Sequence, residues 1–171
     1  MITQDEKNFL KTIPVSKKVS VKPFDPKAKT VGNSILSKIK REFPDLEVLF
    51  MGATALEIAG QNDIDIYALS VPSDFSKYLP TFEKLFGKPL HSHETFIEWK
   101  FNENNYPIEL YLTDSNSSSM QRQIKVFKIL KSNKDLLKEY KKLKSKFDGK
   151  SFKDYQKAKY KFYNNLLNKS N

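Results

Sequence analysis

Two aspartates stand two residues apart in an alternating run, Asp63-Ile64-Asp65-Ile66-Tyr67-Ala68-Leu69, shortly before Pro72. Alternation of polar and apolar side chains marks a strand with one buried face, and it predicts a strand over 62–69. Residues two apart on a strand share a face, so Asp63 and Asp65 project together while Ile64 and Ile66 enter a core. Aspartate is depleted in strands, so two on one face need a reason. Two carboxylates about 5 Å apart repel by roughly 3 kcal/mol at an effective dielectric of about 20. A divalent cation removes that repulsion. Magnesium suits the pair, because it takes hard oxygen ligands and is commonly held by one or two carboxylates together with substrate phosphates.

The flanking sequence builds a sheet around this strand. Val19 to Phe24 reads as extended, and Asp25-Pro26 supplies a cap and a first-turn proline for a helix running to about Arg41, with Val31, Ile35, Leu36 and Ile39 as its buried stripe. Leu46 to Met51 is a short apolar run after a Pro-Asp turn and predicts a buried strand. Gly52 breaks it, and a brief helical turn, Ala53 to Ala59, is closed by Gly60 as a left-handed cap. Residues 73–86 read as helical with an interruption at Pro80 and an end at Gly87. Thr95 to Phe101 and 106–112 predict a hairpin turning through Asn102-Glu103-Asn104-Asn105. The Thr113 to Ser119 stretch is a loop ending in a serine cap. Helices are expected over about 118–131, 134–147 and 151–168, with Gly149 between the last two.

A chain of 171 residues with 39% hydrophobic content supports one domain, 1–171, with an α/β core over 19–116 and C-terminal helices over 117–168. Cysteine is absent, which excludes disulfides, thiolate zinc and a cysteine nucleophile, and fits a reducing, cytoplasmic setting. Asp5 and Glu6 sit where a secretory signal would be basic, and no apolar run is long enough for a membrane span. Charge is unevenly spread: residues 1–120 hold 14 Lys/Arg against 16 Asp/Glu, net −2, while residues 121–171 hold 16 against 4, net +12. Such a tail attracts phosphate-bearing partners, although a lysine-rich solvated face has the same composition.

Glu109, on the second hairpin strand, completes a three-carboxylate set if that strand lies beside Asp63–Leu69; the alternative is an ordinary outward-facing strand residue. His91 and His93 share a face in an extended segment but have no third ligand, so a surface role is expected. Tyr155, Phe162 and Leu166 recur at helical spacing and are expected in a core.

Gly52-Ala53, followed after nine residues by Asp63-Ile64-Asp65-Ile66, resembles the nucleotidyltransferase superfamily signature. More specifically, VKPFDP (Val21–Pro26) and MGATALEIAGQNDIDIY (Met51–Tyr67) resemble the GrpB family, as do the helical segments Leu130–Lys144 and Tyr155-x3-Lys159-x2-Phe162. The resemblance covers about 19–166. Phe50 and Met51 stand where the family commonly has a histidine, Ala53 where it has a serine, Phe127 where it has an arginine, and Glu109 where many members carry a histidine.

The resemblance implies an α+β fold: a nucleotidyltransferase-like mixed sheet flanked by helices, with a helical C-terminal region. It also implies a site in which Asp63, Asp65 and Glu109 hold two Mg2+ or Mn2+ ions and perform catalysis, Asp63 and Asp65 binding both ions and Glu109 the catalytic one, while Gly52, Ala53 and Thr54 meet the phosphates of a nucleoside triphosphate. Thr54 could equally only cap the turn. Tyr140, Lys144 and Lys159 are candidate phosphate or acceptor contacts. The expected activity is metal-dependent transfer of a nucleoside monophosphate to a hydroxyl acceptor, with RNA among the acceptors and an antitoxin-like enzyme as one variant. The alternative is a nucleotide- or RNA-binding module that performs no transfer.

Overall fold

The computed structural model describes residues 2–169. In chain order its elements are α1 (Gln4–Thr12), α2 (Pro26–Glu42), β1 (Glu47–Met51), α3 (Gly52–Ala55), β2 (Ile64–Ser70), α4 (Phe75–Phe86), β3 (His91–Ser92), β4 (Phe96–Glu103), β5 (Tyr106–Asp114), α5 (Ser118–Ser132), α6 (Lys134–Lys146) and α7 (Phe152–Lys169). They divide into two compact units. One comprises the described residues of Met1–Pro23, Ala59–Gln61 and Arg122–Asn171; the other comprises Phe24–Ile58 and Asn62–Gln121.

The second unit holds a five-stranded mixed sheet in the order β1-β2-β5-β4-β3. β2 and β5 are parallel, and the other neighbouring pairs are antiparallel. Period-two alternation divides the sheet into two faces. Ile64, Ile66 and Ala68 of β2, Ile108, Leu110 and Leu112 of β5, and Ile97 and Trp99 of β4 form one buried face with Val31, Ile35 and Ile39 of α2 and Phe75 and Phe82 of α4. Each fully buried Ile or Leu there contributes about 1.5–3 kcal/mol relative to exposure. The other face carries Asp65 and Tyr67, Glu109 and Tyr111, Glu98 and Lys100. The apolar face packs against the helices, so the polar side chains leave the opposite face of the sheet.

α2 starts as its sequence dictates. The Asp25 side chain accepts from Lys27 N–H at 2.9 Å, and Pro26 occupies the first turn. The Asp25 carboxylate also accepts from the Tyr106 hydroxyl; that bond and the Lys27 amide hold its pKa below the ordinary aspartate value.

Several sequence expectations change in detail. β2 begins at Ile64, leaving Asp63 just before the strand, because Asn62 takes a left-handed φ of 57° that the extended ladder cannot continue. The helical turn after β1 is only Gly52–Ala55, and the left-handed residue that follows it is Glu57, not Gly60. Gly60 instead pairs with Lys22 as a short bridge. Pro80 does not interrupt α4, whose buried Phe75 and Phe82 anchor the helix on both sides of the missing N–H. The hairpin turn is Asn104-Asn105 alone, with φ of 52° and 67°, the signature of a two-residue turn whose twist suits paired strands.

In the first unit, Leu10, Ile13, Val19, Phe152 and Tyr155 form a small core, with Val21, Leu143, Phe147 and Tyr160 packed against it. α1, which the sequence reading leaves unassigned, is fixed by a capping box between Thr3 and Glu6. Asn164 donates to Glu6 at 3.0 Å and accepts from Arg122. The expected core residues Tyr155 and Leu166 are buried, and Phe162 stacks on Tyr140 at 5.6 Å between centroids. Among the described residues, no helix is long and apolar enough to cross a membrane.

Candidate functional site

β1 ends at Met51, register partner of Asp65, and the chain then leaves the sheet through Gly52 at φ +80°. A β-carbon on Gly52 would lie 2.0 Å from Asp65 Oδ2, so only glycine lets the carboxylate occupy this position. The buried Thr54 hydroxyl donates to the Asp63 carbonyl at 2.6 Å and ties the turn after β1 to the entry of β2. Thr54 therefore acts through the backbone that positions the two aspartates. Ala53 is buried, its carbonyl accepting from Ile58 N–H. At four residues, α3 is a single turn and lacks the aligned peptides that make a helix N-terminus strongly positive.

Asp65 and Glu109 are register partners on the parallel pair β2–β5, so their side chains leave the same face of the sheet. One step along, the rings of Tyr67 and Tyr111 stack 5.2 Å apart and 11° from parallel. Glu109 accepts from the Tyr111 hydroxyl at 3.2 Å and pairs with Lys100 at 3.3 Å. Lys100 also reaches Glu98 at 3.1 Å, and Glu98 accepts from the Tyr111 hydroxyl at 2.8 Å. Burial disfavours the Lys100 ammonium, but the charges of Glu109 and Glu98 outweigh it and raise its pKa. Burial, then the negative charge of Glu109 and the bond to Glu98, push the Tyr111 phenol far above its ordinary value.

Glu109 is expected here from the sequence, whereas Glu98, Lys100, Tyr67 and Tyr111 join it only through the fold. Their signal is the i, i+2 spacing in β2, β4 and β5 combined with the two-residue turn, which places Lys100 opposite Glu109 and Glu98 opposite Tyr111. His91 and His93 are exposed; His91 Nε2 lies 4.0 Å from Glu98, and His93 packs 4.5 Å from the Phe96 ring. Among the described residues, no group of three or more His, Cys, Asp or Glu is gathered so that it could hold a metal ion.

Tyr140, Lys144 and Lys159 belong to a separate cluster on α6 and α7. Lys144 is buried, donates to the Tyr155 hydroxyl at 3.2 Å and lies 5.3 Å and 5.7 Å from the Tyr140 and Tyr155 ring centroids. Tyr163 donates to Tyr140 at 3.1 Å, with Lys159 5.4 Å from the Tyr163 ring centroid. Burial raises the Tyr140 phenol, with the neighbouring phenols Tyr163 and Tyr155 adding to the rise. Burial also opposes ionisation of Tyr155, but Lys159 and Lys144 outweigh it and lower its pKa.

The family model for GrpB protein matches residues 18–169. The chain belongs to the GrpB family. No curated protein is similar to it in sequence. Among solved structures, the RNA terminal uridylyl transferase Cid1 aligns with a TM-score of 0.51 at 17% identity, over 82% of this chain and 43% of that one. A GTP-bound structure of the Cid1 poly(U) polymerase aligns at 0.47 and 17% identity, over 78% of this chain and 43% of that one. This GrpB chain thus spans less than half of the polymerase chains it matches, and what it shares with Cid1 is a nucleotidyltransferase-like fold.

Proposed function

We propose that this GrpB chain is a divalent-metal-dependent nucleotidyltransferase of the cytoplasm, moving a nucleoside monophosphate from a nucleoside triphosphate to a hydroxyl acceptor. The observation that carries this reading is the pairing of Asp65 with Glu109 across β2–β5, with Gly52 leaving room for the Asp65 carboxylate. The donor chemistry fits Mg2+ or Mn2+, which take carboxylate oxygens and complete their shells with phosphate and water. Asp65 and Glu109 would hold the ion, with Asp63, which precedes the strand, as the third proposed ligand. When bound, the ion supplies positive charge to the phosphate oxygens and makes the acceptor hydroxyl more acidic.

In the reaction, the acceptor oxygen forms a bond to the α-phosphorus while the bond from that phosphorus to the bridging oxygen breaks and pyrophosphate leaves. Glu109 takes the hydroxyl proton. The Gly52-Ala53 turn gives the triphosphate close access to backbone, and positioning of charges accounts for most of the rate. RNA is the acceptor class to try first, because the C-terminal half is strongly basic and Cid1 is an RNA terminal uridylyl transferase. Of the proposed phosphate or acceptor contacts, Lys159 is partly exposed and would act directly, while the buried Tyr140 and Lys144 would act through the side chains they order.

A second reading, a nucleotide- or RNA-binding module without transfer, is supported by one observation: Glu109 is already engaged by Lys100 and Tyr111. Incubation with each labelled nucleoside triphosphate, Mg2+ or Mn2+, and an RNA and small-molecule acceptor pool separates them. Labelled product that disappears in Asp65→Asn supports transfer. Nucleotide binding without product supports the module.

A further inference from the structure

We propose that Lys100 is a built-in cation of the carboxylate face, standing in for one divalent ion and limiting the site to a single bound metal. The inference rests on the metal-binding reading of Asp65 and Glu109 given above. Lys100 Nζ lies 3.1 Å from Glu98 and 3.3 Å from Glu109, within hydrogen-bonding reach of both carboxylates. Glu98 is buried, so its charge requires a partner on the spot, and Lys100 and the Tyr111 hydroxyl are that partner. Tyr111 binds the same two carboxylates, at 2.8 Å and 3.2 Å, and fixes their separation around the ammonium.

The arrangement has a direct consequence for metal loading. Glu109 is the carboxylate shared between the face of Asp65 and the ammonium of Lys100. A first ion at Asp65 and Glu109 would compete for a Glu109 oxygen held by the Tyr111 hydroxyl or by Lys100, and would leave the Lys100–Glu98 pair in place. A second ion on the β4 side would have to displace an ammonium already held by two carboxylates, and like-charge repulsion opposes it. Lys100 presents the positive charge that such an ion would bring, and it does so at zero metal concentration. Polyphosphate bound at the site then meets one divalent ion and one ammonium.

The test is isothermal titration of Mn2+ into the full chain, alone and with a non-hydrolysable nucleoside triphosphate analogue, with circular dichroism confirming the fold of each variant. The wild type is expected to take one ion. Lys100→Met, and Lys100→Gln in case the methionine variant does not fold, are expected to take a second ion or to bind the first about tenfold or more tightly, the size of effect seen when groups around a metal ligand change. Lys100→Arg keeps the charge and is expected to match the wild type, as is Lys84→Met, which removes an exposed lysine of α4 on the opposite face. Two ions in the wild type, or unchanged count and affinity in a folded Lys100→Met or Lys100→Gln, overturn the inference while leaving the metal-binding reading in place. Absence of Mn2+ binding in the wild type and every variant overturns both.

Discussion

The Asp65 carboxylate fills the space where a side chain on Gly52 would begin, 2.0 Å from the position of its β-carbon. Gly52→Ala therefore meets two penalties, a left-handed φ of +80° and displacement of a carboxylate. The expected loss is at least about 2 kcal/mol, or roughly 4–8 °C in Tm for a chain of this size. Gly87 offers a matched control: its φ is +83°, and no atom lies within 4 Å of its would-be β-carbon. Thermal melts of the two alanine variants separate the backbone cost from the cost of moving Asp65. Equal Tm losses would show that the Asp65 contact contributes nothing.

Alternation made the two sheet faces legible in the sequence, since Ile64 and Ile66 could only enter a core if Asp65 left it. α6 caps on Phe147, two residues before Gly149, but the caps of α2 and the glycine end of α4 were equally local signals. Turn length was not. A loop through Asn102 to Asn105 would set Glu109 opposite Glu98, whereas the two-residue Asn104-Asn105 turn sets it opposite Lys100. Both registers keep the same side chains on the same face, so hydrophobic patterning cannot tell them apart. The choice depends on two asparagines adopting positive φ, and it decides whether Glu109 meets a like charge or an ammonium. α1 was missed although its Thr3-x-x-Glu6 capping box is a local signal: its buried Leu10 belongs to a core completed by residues far along the chain, and Asn164 holds Glu6.

The two faces of β2 predict opposite responses to neighbouring substitutions. Ile66 is fully buried, and Ile66→Ala is expected to cost about 2–5 kcal/mol. Asp65→Asn keeps the shape that packs on Gly52 and is expected to change stability by less than about 1 kcal/mol while abolishing Mn2+ binding. Urea denaturation measures the first pair of values and titration calorimetry the second. An Asp65→Asn protein that binds Mn2+ like the wild type would remove Asp65 from the site.

The phenol cluster of α6 and α7 predicts a pH dependence. Tyr140 has a pKa raised by burial and by Tyr163 and Tyr155, so it holds its proton more tightly folded than unfolded. Its contribution is present in full below the ordinary phenol pKa of about 10 and is lost as pH rises through the folded value. Tyr155, lowered by Lys159 and Lys144 against the opposing effect of burial, contributes in the reverse sense, with stability present above the ordinary phenol pKa and lost as pH falls through the folded one. Tyr140→Phe is expected to flatten the decline in stability above pH about 10, and Tyr155→Phe to steepen it. Denaturation midpoints at several alkaline pH values decide this, and parallel curves for all three proteins would contradict it.

The excess positive charge after residue 120 does not act uniformly, because its lysines occupy different environments. Lys141 is exposed on α6, whereas Lys144, three residues on, is buried with its ammonium on the Tyr155 hydroxyl and near two ring faces. Each ring contact of a shielded ammonium contributes on the order of 0.5–2 kcal/mol, and the stem of Lys144 adds packing area. Lys144→Ala is therefore expected to cost about 2 kcal/mol or more, while Lys141→Ala stays within about 0.5 kcal/mol. For RNA binding the order reverses at first contact: Lys141 can meet a phosphate directly, so Lys141→Gln is expected to reduce the salt slope by about 0.7, the single-strand value for one phosphate. Lys144→Met keeps the bulk of the stem and removes the charge, so a folded Lys144→Met protein reads the electrostatic role alone. Filter binding across a salt series, beside a melt of each variant, separates the two lysines. Equal stability losses at both positions would contradict the burial of Lys144, and a salt slope unchanged by Lys141→Gln would exclude that side chain from the RNA contact.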